Sequence, residues 1–173
     1  MFTPLTNGNF MQLCWVVPDL EAAIGHWVRS ARAGPFFVFE NVHFTDSHYR
    51  GTPADIAPHR AAIGQYGDMQ IELISPIGSA PGIWTDVVPA GKSGFHHTAL
   101  YCTDYEREKA AYGAEVAFEG LMMGAKTCYI DTVGTLGFMT ELITANPIAE
   151  QVFGAFRTAA QGWDGSDPIR SLG

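Results

Sequence analysis

Three cysteines in 173 residues, an odd number, offer no paired framework to staple the chain. Cys14, Cys102 and Cys128 lie in apolar, strand-like runs and read as reduced core thiols. Positive charge is also scarce: ten Lys and Arg against eighteen Asp and Glu give a formal net charge of −8. A surface of that sign repels phosphate backbones and anionic lipid, which excludes nucleic acid and membrane surfaces as principal partners. No apolar run approaches the roughly 20 residues of a membrane-spanning helix. The opening MFTPLTNGNF lacks a basic segment leading into an apolar stretch, so a secretory leader is not expected and a cytoplasmic protein is. Hydrophobic residues make up 47% of the chain, enough for a packed interior. The length suits one ordinary domain, or two small half-domains sharing a core.

What the sequence does have is an internal repeat. FMQLCWVVPD (residues 10–19) and FHHTALYCTD (residues 95–104) share a plan in which a polar side chain opens an apolar run and an Asp closes it seven places later, Gln12 to Asp19 and His97 to Asp104. A second pair, QIELISP (70–76) and MTELITA (139–145), each carries a Glu inside an apolar strand. Four runs in two matched pairs thus carry Gln12, Glu72, His97 and Glu141, and a repeat of this kind fixes the architecture.

In chain order, residues 10–17 read as a strand with Phe10, Gln12, Cys14 and Val16 on one face. Asp19 caps a helix over 20–31, whose apolar stripe is stopped by Gly34-Pro35. Residues 36–44 form a strand, 45–58 an irregular loop, and 59–66 and 69–75 two strands joined by Tyr66-Gly67-Asp68. Residues 77–93 form a linker. In the second half, strand 95–102, a helix from Asp104 to Tyr112 and strands 115–120, 126–132 and 138–144 repeat the order. Asn146-Pro147 opens a C-terminal helix, and the residues from Trp163 form a dispensable tail. The expected division is a β-α-β-β-β half over 1–76, the linker, a second half over 94–145, and the helix and tail over 146–173. The fold class is α+β: two repeats forming one curved mixed sheet around an internal cleft, with helices outside and an extra C-terminal helix.

Two carboxylates, one imidazole and one amide oxygen make a mixed nitrogen and oxygen site for one divalent ion among Zn, Ni, Co, Mn, Mg and Fe. Such an ion polarises a carbonyl, and a base must then move a proton on the adjacent carbon, by way of an enolate. A single inward histidine on a strand is ordinarily a satisfied core residue; four positions at matched offsets are not explained that way. Gln70 shares the face of Glu72 and is placed to hydrogen-bond around the site. Tyr101 shares the face of His97, and His48 and Tyr49 sit in the 45–58 loop; with Gln70 these are the candidate substrate contacts, and His43 and His59 could add others. Strand alternation turns His96 away from His97, into packing or a supporting hydrogen bond, and Cys14 is assigned to pocket packing.

VVPDLEAAI and HHTALYCTD resemble the strand-to-helix turns of the vicinal-oxygen-chelate superfamily, which includes glyoxalase I, methylmalonyl-CoA epimerase, extradiol dioxygenases and bleomycin-resistance proteins. The resemblance spans roughly residues 10–145. It implies metal positions at Gln12, Glu72, His97 and Glu141, Glu141 or Glu72 as the base, a small-molecule carbonyl or thioester substrate, a lyase or isomerase activity, and a homodimer. The Gln/Glu/His/Glu set is similar to that of glyoxalase I, whereas PDLEAAI, IELISP and GFHHTAL are similar to epimerase-type members. An iron-dependent extradiol-type dioxygenase is the second enzyme reading, disfavoured because Gln12 replaces one of the two histidines it needs. A non-catalytic, resistance-type binding protein is the third, and members of that type lack the ligand set.

Overall fold

The computed structural model describes residues 9–171. The first half comprises β1 (Asn9–Val16), α1 (Leu20–Ala31), β2 (Phe36–Phe39), β3 (Thr45–Tyr49), β4 (Thr52–Pro53), β5 (His59–Tyr66) and β6 (Met69–Pro76). The second comprises β7 (Gly94–Cys102), α2 (Tyr105–Tyr112), β8 (Val116–Met122), β9 (Ala125–Ile130), the single turn α3 (Val133–Leu136) and β10 (Met139–Thr144). Helix α4 (Pro147–Ala160) and a short β11 (Ile169–Ser171) follow. Among the described residues no helix is long and apolar enough to cross a membrane.

Local chemistry sets the element boundaries. The Asp19 carboxylate accepts from the Ala22 amide at 2.9 Å and starts α1, and Arg32 in the left-handed region ends it. Asp104 occupies the same place before α2, but its carboxylate turns to Arg107 at 3.1 Å instead of capping the backbone. Asn146 accepts from the Ala149 amide at 2.8 Å, with Pro147 at the first helical position of α4.

All strands join one mixed sheet in the order β11-β2-β5-β6-β1-β7-β10-β9-β8-β3-β4. At its centre β1 and β7 run antiparallel, and each has a parallel neighbour from its own half, β6 and β10. Read outward from this seam, the two halves are mirror lists, β1-β6-β5-β2 and β7-β10-β9-β8, so a pseudo-twofold axis passes through the seam. Chain length then forces curvature. In the sheet order β2 and β3 are eight strand spacings apart, about 38 Å if the sheet were flat. The six-residue step from Phe39 to Thr45 reaches about 20 Å at most. The sheet therefore curls around a concave face.

On the convex side α1 lays Leu20 and Ile24 over Leu13, Trp15, Ile71 and Leu73. Helix α2 covers a second convex cluster of Cys102, Tyr105, Cys128, Ile130 and Leu142. Gly64 permits the closest packing in the first half: a Cβ there would stand 2.7 Å from the Phe36 ring.

Three features differ from the sequence reading. The strand from Phe36 ends at Phe39, and the 45–58 segment, expected as an irregular loop, forms the β3–β4 hairpin on the edge of β8. That pairing is between distant segments, so local composition carries no sign of it. Arg50, just after β3, fastens the hairpin through Asp86 (2.9 Å), Glu115 (2.7 Å) and Asp131 (3.1 Å). Residues 77–93 do more than connect, since Ile83, Trp84 and Val88 are buried in the concave-side core. The extra C-terminal helix α4, whose side the sequence left open, packs Phe153 and Phe156 with Ile63, Ile143 and Phe37 against the concave face. Finally, the residues after Trp163 are not a loose tail, because β11 pairs in parallel with β2 and the Phe36 amide donates to Pro168 O at 2.8 Å.

Candidate metal centre

Strand register brings the repeated polar residues together. Across the seam, Gln12 lies opposite Ala99 and Cys14 opposite His97. Glu72 neighbours Cys14 on β6, and Glu141 neighbours Ala99 on β10. Glu72 is thus placed two residues beyond Gln12 in register, as Glu141 is beyond His97. Each polar position is preceded by a bulge, since Met11 and His96 have no partner across the seam. A bulge re-aims side chains. It places His96 against His97, Trp84 and Tyr129, where strict alternation pointed it away.

That displaced histidine sets which ring nitrogen of its neighbour keeps a proton. His96 Nε2 is 3.0 Å from the carbonyl of Ile83, which only accepts, so Nε2 carries the proton. Burial, and then the adjacent His97, push the His96 pKa down to about 3 and keep the ring neutral. Its Nδ1 lone pair therefore accepts from His97 Nδ1–H at 2.9 Å. A neutral His97 is left with its lone pair at Nε2. That atom stands 3.2 Å from Glu72 Oε2 and 3.2 Å from Glu141 Oε2. The distances allow ion pairs, but Nε2 and Glu72 Oε2 have no hydrogen-bond partner among the described residues. Three electron-rich atoms thus converge in a buried place and call for a cation. Burial disfavours protonation of His97, but Glu141 and then Glu72 override it and push the pKa up to about 9. A divalent ion meets the same demand, and the orphaned atoms are of the types that ligate one. The ligand atoms of Cys14, Glu72 and His97 all lie within 4.8 Å of one another, a group able to hold an ion. Burial and then Glu72 raise the Cys14 thiol pKa well above its ordinary value.

A cavity of about 150 Å³ opens beside these residues on the concave face. Gln12, Glu72 and Glu141 line it, among largely apolar neighbours that include Ile74, Trp84, Met122 and Phe156. His97 is fully buried beneath. Tyr129 also lines the cavity, and burial, followed by the charges of Glu141 and Glu72, keeps its phenol protonated. His59 lines another part of the wall. Its Nδ1 donates to Ala57 O at 2.9 Å, which leaves the lone pair on Nε2, and burial lowers its pKa.

The other candidate contacts lie elsewhere. Tyr101 holds the start of α4: its hydroxyl donates to Asn146 O at 3.2 Å and accepts from the Asn146 amide at 3.0 Å. Tyr49 bonds the Asp86 carboxylate at 3.0 Å within the Arg50 cluster, and His48 sits on β3 opposite Pro53 and Glu119. Gln70 is buried beside Gln12, with both amide atoms unpartnered among the described residues, but it does not line the cavity. Cys14, which alternation assigned to packing, is the residue whose proximity to Glu72 and His97 the sequence hid, because only register shows what lies across a strand. His59, which the sequence offered as a further contact, lies on the cavity wall.

Comparison with known proteins bears on the fold and the family. No curated protein matches the sequence. Among solved structures, methylmalonyl-CoA epimerase from Mycobacterium tuberculosis superposes with a TM-score of 0.58 at 17% identity, covering 87% of this chain and 96% of that one. A methylmalonyl-CoA epimerase in complex with methylmalonyl-CoA and NH4+ gives 0.56 at 16% identity, over 82% and 96% of the chains. A Streptomyces coelicolor epimerase variant with 2-nitronate-propionyl-CoA gives 0.55 at 16% identity, over 80% and 97%. At such identities the likeness establishes the fold. The family model of the glyoxalase/bleomycin resistance protein/dioxygenase superfamily matches residues 11–131. Those residues contain the first half from within β1 onward and the second through β9, so the repeat, the antiparallel seam and the family match together make this chain a member of that superfamily, the vicinal-oxygen-chelate proteins.

Proposed function

We propose that the protein is a divalent-metal-dependent lyase or isomerase that moves a proton on the carbon next to the carbonyl of a small carbonyl compound or thioester. One observation carries this reading: His97 Nε2 faces two carboxylates at the floor of an apolar cavity, an arrangement completed by a cation, whether a proton or a metal ion. Gln12, Glu72, His97 and Glu141 would hold the ion. When bound, it supplies positive charge that stabilises the negative charge building on a carbonyl oxygen.

The remaining steps belong to the chain itself. His96 holds the His97 ring in a single tautomer and orientation. The apolar wall of Ile74, Trp84 and Phe156 excludes water from the reacting carbon. Glu141 and Glu72, both reaching the cavity, are the candidate bases. Tyr129 keeps its proton and can donate to a substrate oxygen. The cavity is of the size that admits one benzene in an engineered core, so it takes a short branched acyl group and leaves any longer carrier outside. 2-Methyl-branched acyl-CoA thioesters lead the candidates, ahead of hemithioacetals, whose small carbonyl end would fit equally well. The solved relatives with CoA thioester ligands favour this order. His97 is the one imidazole at the site aimed at the carboxylates, which disfavours a dioxygenase centre built on two.

The test is deuterium exchange in D₂O with metal-loaded protein. Uptake at the carbon beside the carbonyl of one of these two substrate classes is expected, falling by on the order of 10²- to 10⁴-fold in Glu141→Gln if Glu141 is the base. Absence of uptake from either class by folded, metal-loaded protein overturns the reading.

A further inference from the structure

The pseudo-twofold axis that pairs Gln12 with His97 and Glu72 with Glu141 also pairs Cys14 with Ala99. Where the second half places a methyl group, the first half places a thiol. The other two cysteines, Cys102 and Cys128, lie under α2 on the convex side, and Cys102 donates to Ile143 O at 3.5 Å. Cys14 alone stands on the concave side, fully buried and directly across the seam from His97. Its sulfur shares the 4.8 Å group with a Glu72 oxygen and a His97 nitrogen, and both His97 Nε2 and Glu72 Oε2 are buried without hydrogen-bond partners among the described residues.

We propose that Cys14 gives a sulfur donor to the ion held by His97 and Glu72, so that the centre takes a thiophilic divalent ion such as Zn or Co and discriminates against Mg and Mn. The proposal rests on the presence of an ion at this site and is independent of the substrate. Nitrogen and carboxylate donors alone accept hard and borderline ions alike, with selection left to supply; a thiolate shifts the preference to the softer ones. On binding, the thiol proton leaves to solvent and the sulfur lone pair takes its place at the metal, a step without oxidation or reduction. The asymmetry between the halves follows as well. Only the Glu72 side of the centre carries the sulfur, so the Glu141 side keeps the hard oxygen donor facing the cavity.

Cobalt(II) titration of metal-free protein tests this without any enzyme assay. The wild type should develop visible d–d bands together with a near-ultraviolet sulfur-to-cobalt charge-transfer band at one ion per chain. Cys14→Ser and Cys14→Ala should keep the d–d bands, lose the charge-transfer band, and bind Zn at least about tenfold more weakly, the lower end of what loss of even an outer partner costs. Far-ultraviolet circular dichroism of both variants checks that the fold is retained. Cobalt bands without charge transfer in the wild type overturn the sulfur donor and leave the metal site standing. No cobalt spectrum in the wild type, or an unchanged spectrum in His97→Ala, overturns the metal site itself, and the sulfur donor with it.

Discussion

Replacing His96 isolates the relay between Ile83 and His97. In His96→Phe the ring volume is nearly kept, while the acceptor for His97 Nδ1–H and the donor to Ile83 O both disappear. Residues His96 and His97 are both 0% exposed, so water cannot replace the lost partners. A buried donor left unsatisfied costs about 1–3 kcal/mol, and the Ile83 carbonyl adds a similar amount if it too remains unpaired. The functional effect is separate. Loss of a partner that fixes a ligating imidazole lowers metal affinity about 10- to 100-fold, equivalent to about 1.4–2.7 kcal/mol. Zn affinity by competition with a chromophoric chelator, and urea unfolding of the metal-free protein, read the two effects apart. His96→Gln, whose amide can donate at one end and accept at the other, should recover part of both. Unchanged Zn affinity in His96→Phe, with the fold intact, would show that His97 needs no fixed tautomer and would refute the relay.

Three other outcomes follow from the geometry. His59 has a folded pKa below its ordinary value because of burial, so the unfolded chain binds the extra proton as pH falls below about 6.5. Stability contributed by neutral His59 is therefore lost on acidification from that point, by at most about 1.4 kcal/mol per pH unit, and His59→Gln should flatten this part of a urea midpoint-versus-pH curve. Phe156→Ala removes a ring stacked 4.8 Å from Phe37; the cost should lie near 3 kcal/mol, toward the lower end for such truncations because the ring already borders a cavity, and differential scanning calorimetry should show the drop. A chain ending at Trp163 loses β11 and bares the β2 edge. It should melt earlier, by on the order of 1–3 kcal/mol at the midpoint, and aggregate more readily on light scattering; unchanged melting and solubility would restore the view of these residues as a dispensable tail.

The sequence made legible whatever it repeats locally. Asp19 and Asp104 each follow an apolar run by the same interval, and that interval located β1, α1, β7 and α2. The matched runs QIELISP and MTELITA marked Glu72 and Glu141 as the charged residues inside two apolar strands. What it hid is non-local or depends on register. The polar 45–58 segment looks irregular because β8, its pairing partner, lies about seventy residues further on. The residues after Trp163 look free because their partner is β2, more than a hundred residues earlier. His96 was misdirected because one bulged residue reverses the alternation rule. Cys14 looked like filling because no spacing rule shows a side chain across the seam. Tyr101 appeared to face substrate because it shares a strand face with His97, but α4 begins there and takes its hydroxyl.

The crossed edges of the sheet bear on how such a chain could have arisen and how it must fold. Duplication of a half would give two units that can exist apart. Here the β3–β4 hairpin of the first half is built into the edge of the second, and the last strand returns to the edge of the first. Each half therefore depends on a segment from the other end of the chain. Neither should fold as an isolated fragment, and the final structure must await long-range closures, which makes folding slow for a chain of this length. The same lacing ties each half to its partner within one chain, so an exchange of halves between two copies would have to break both edges at once.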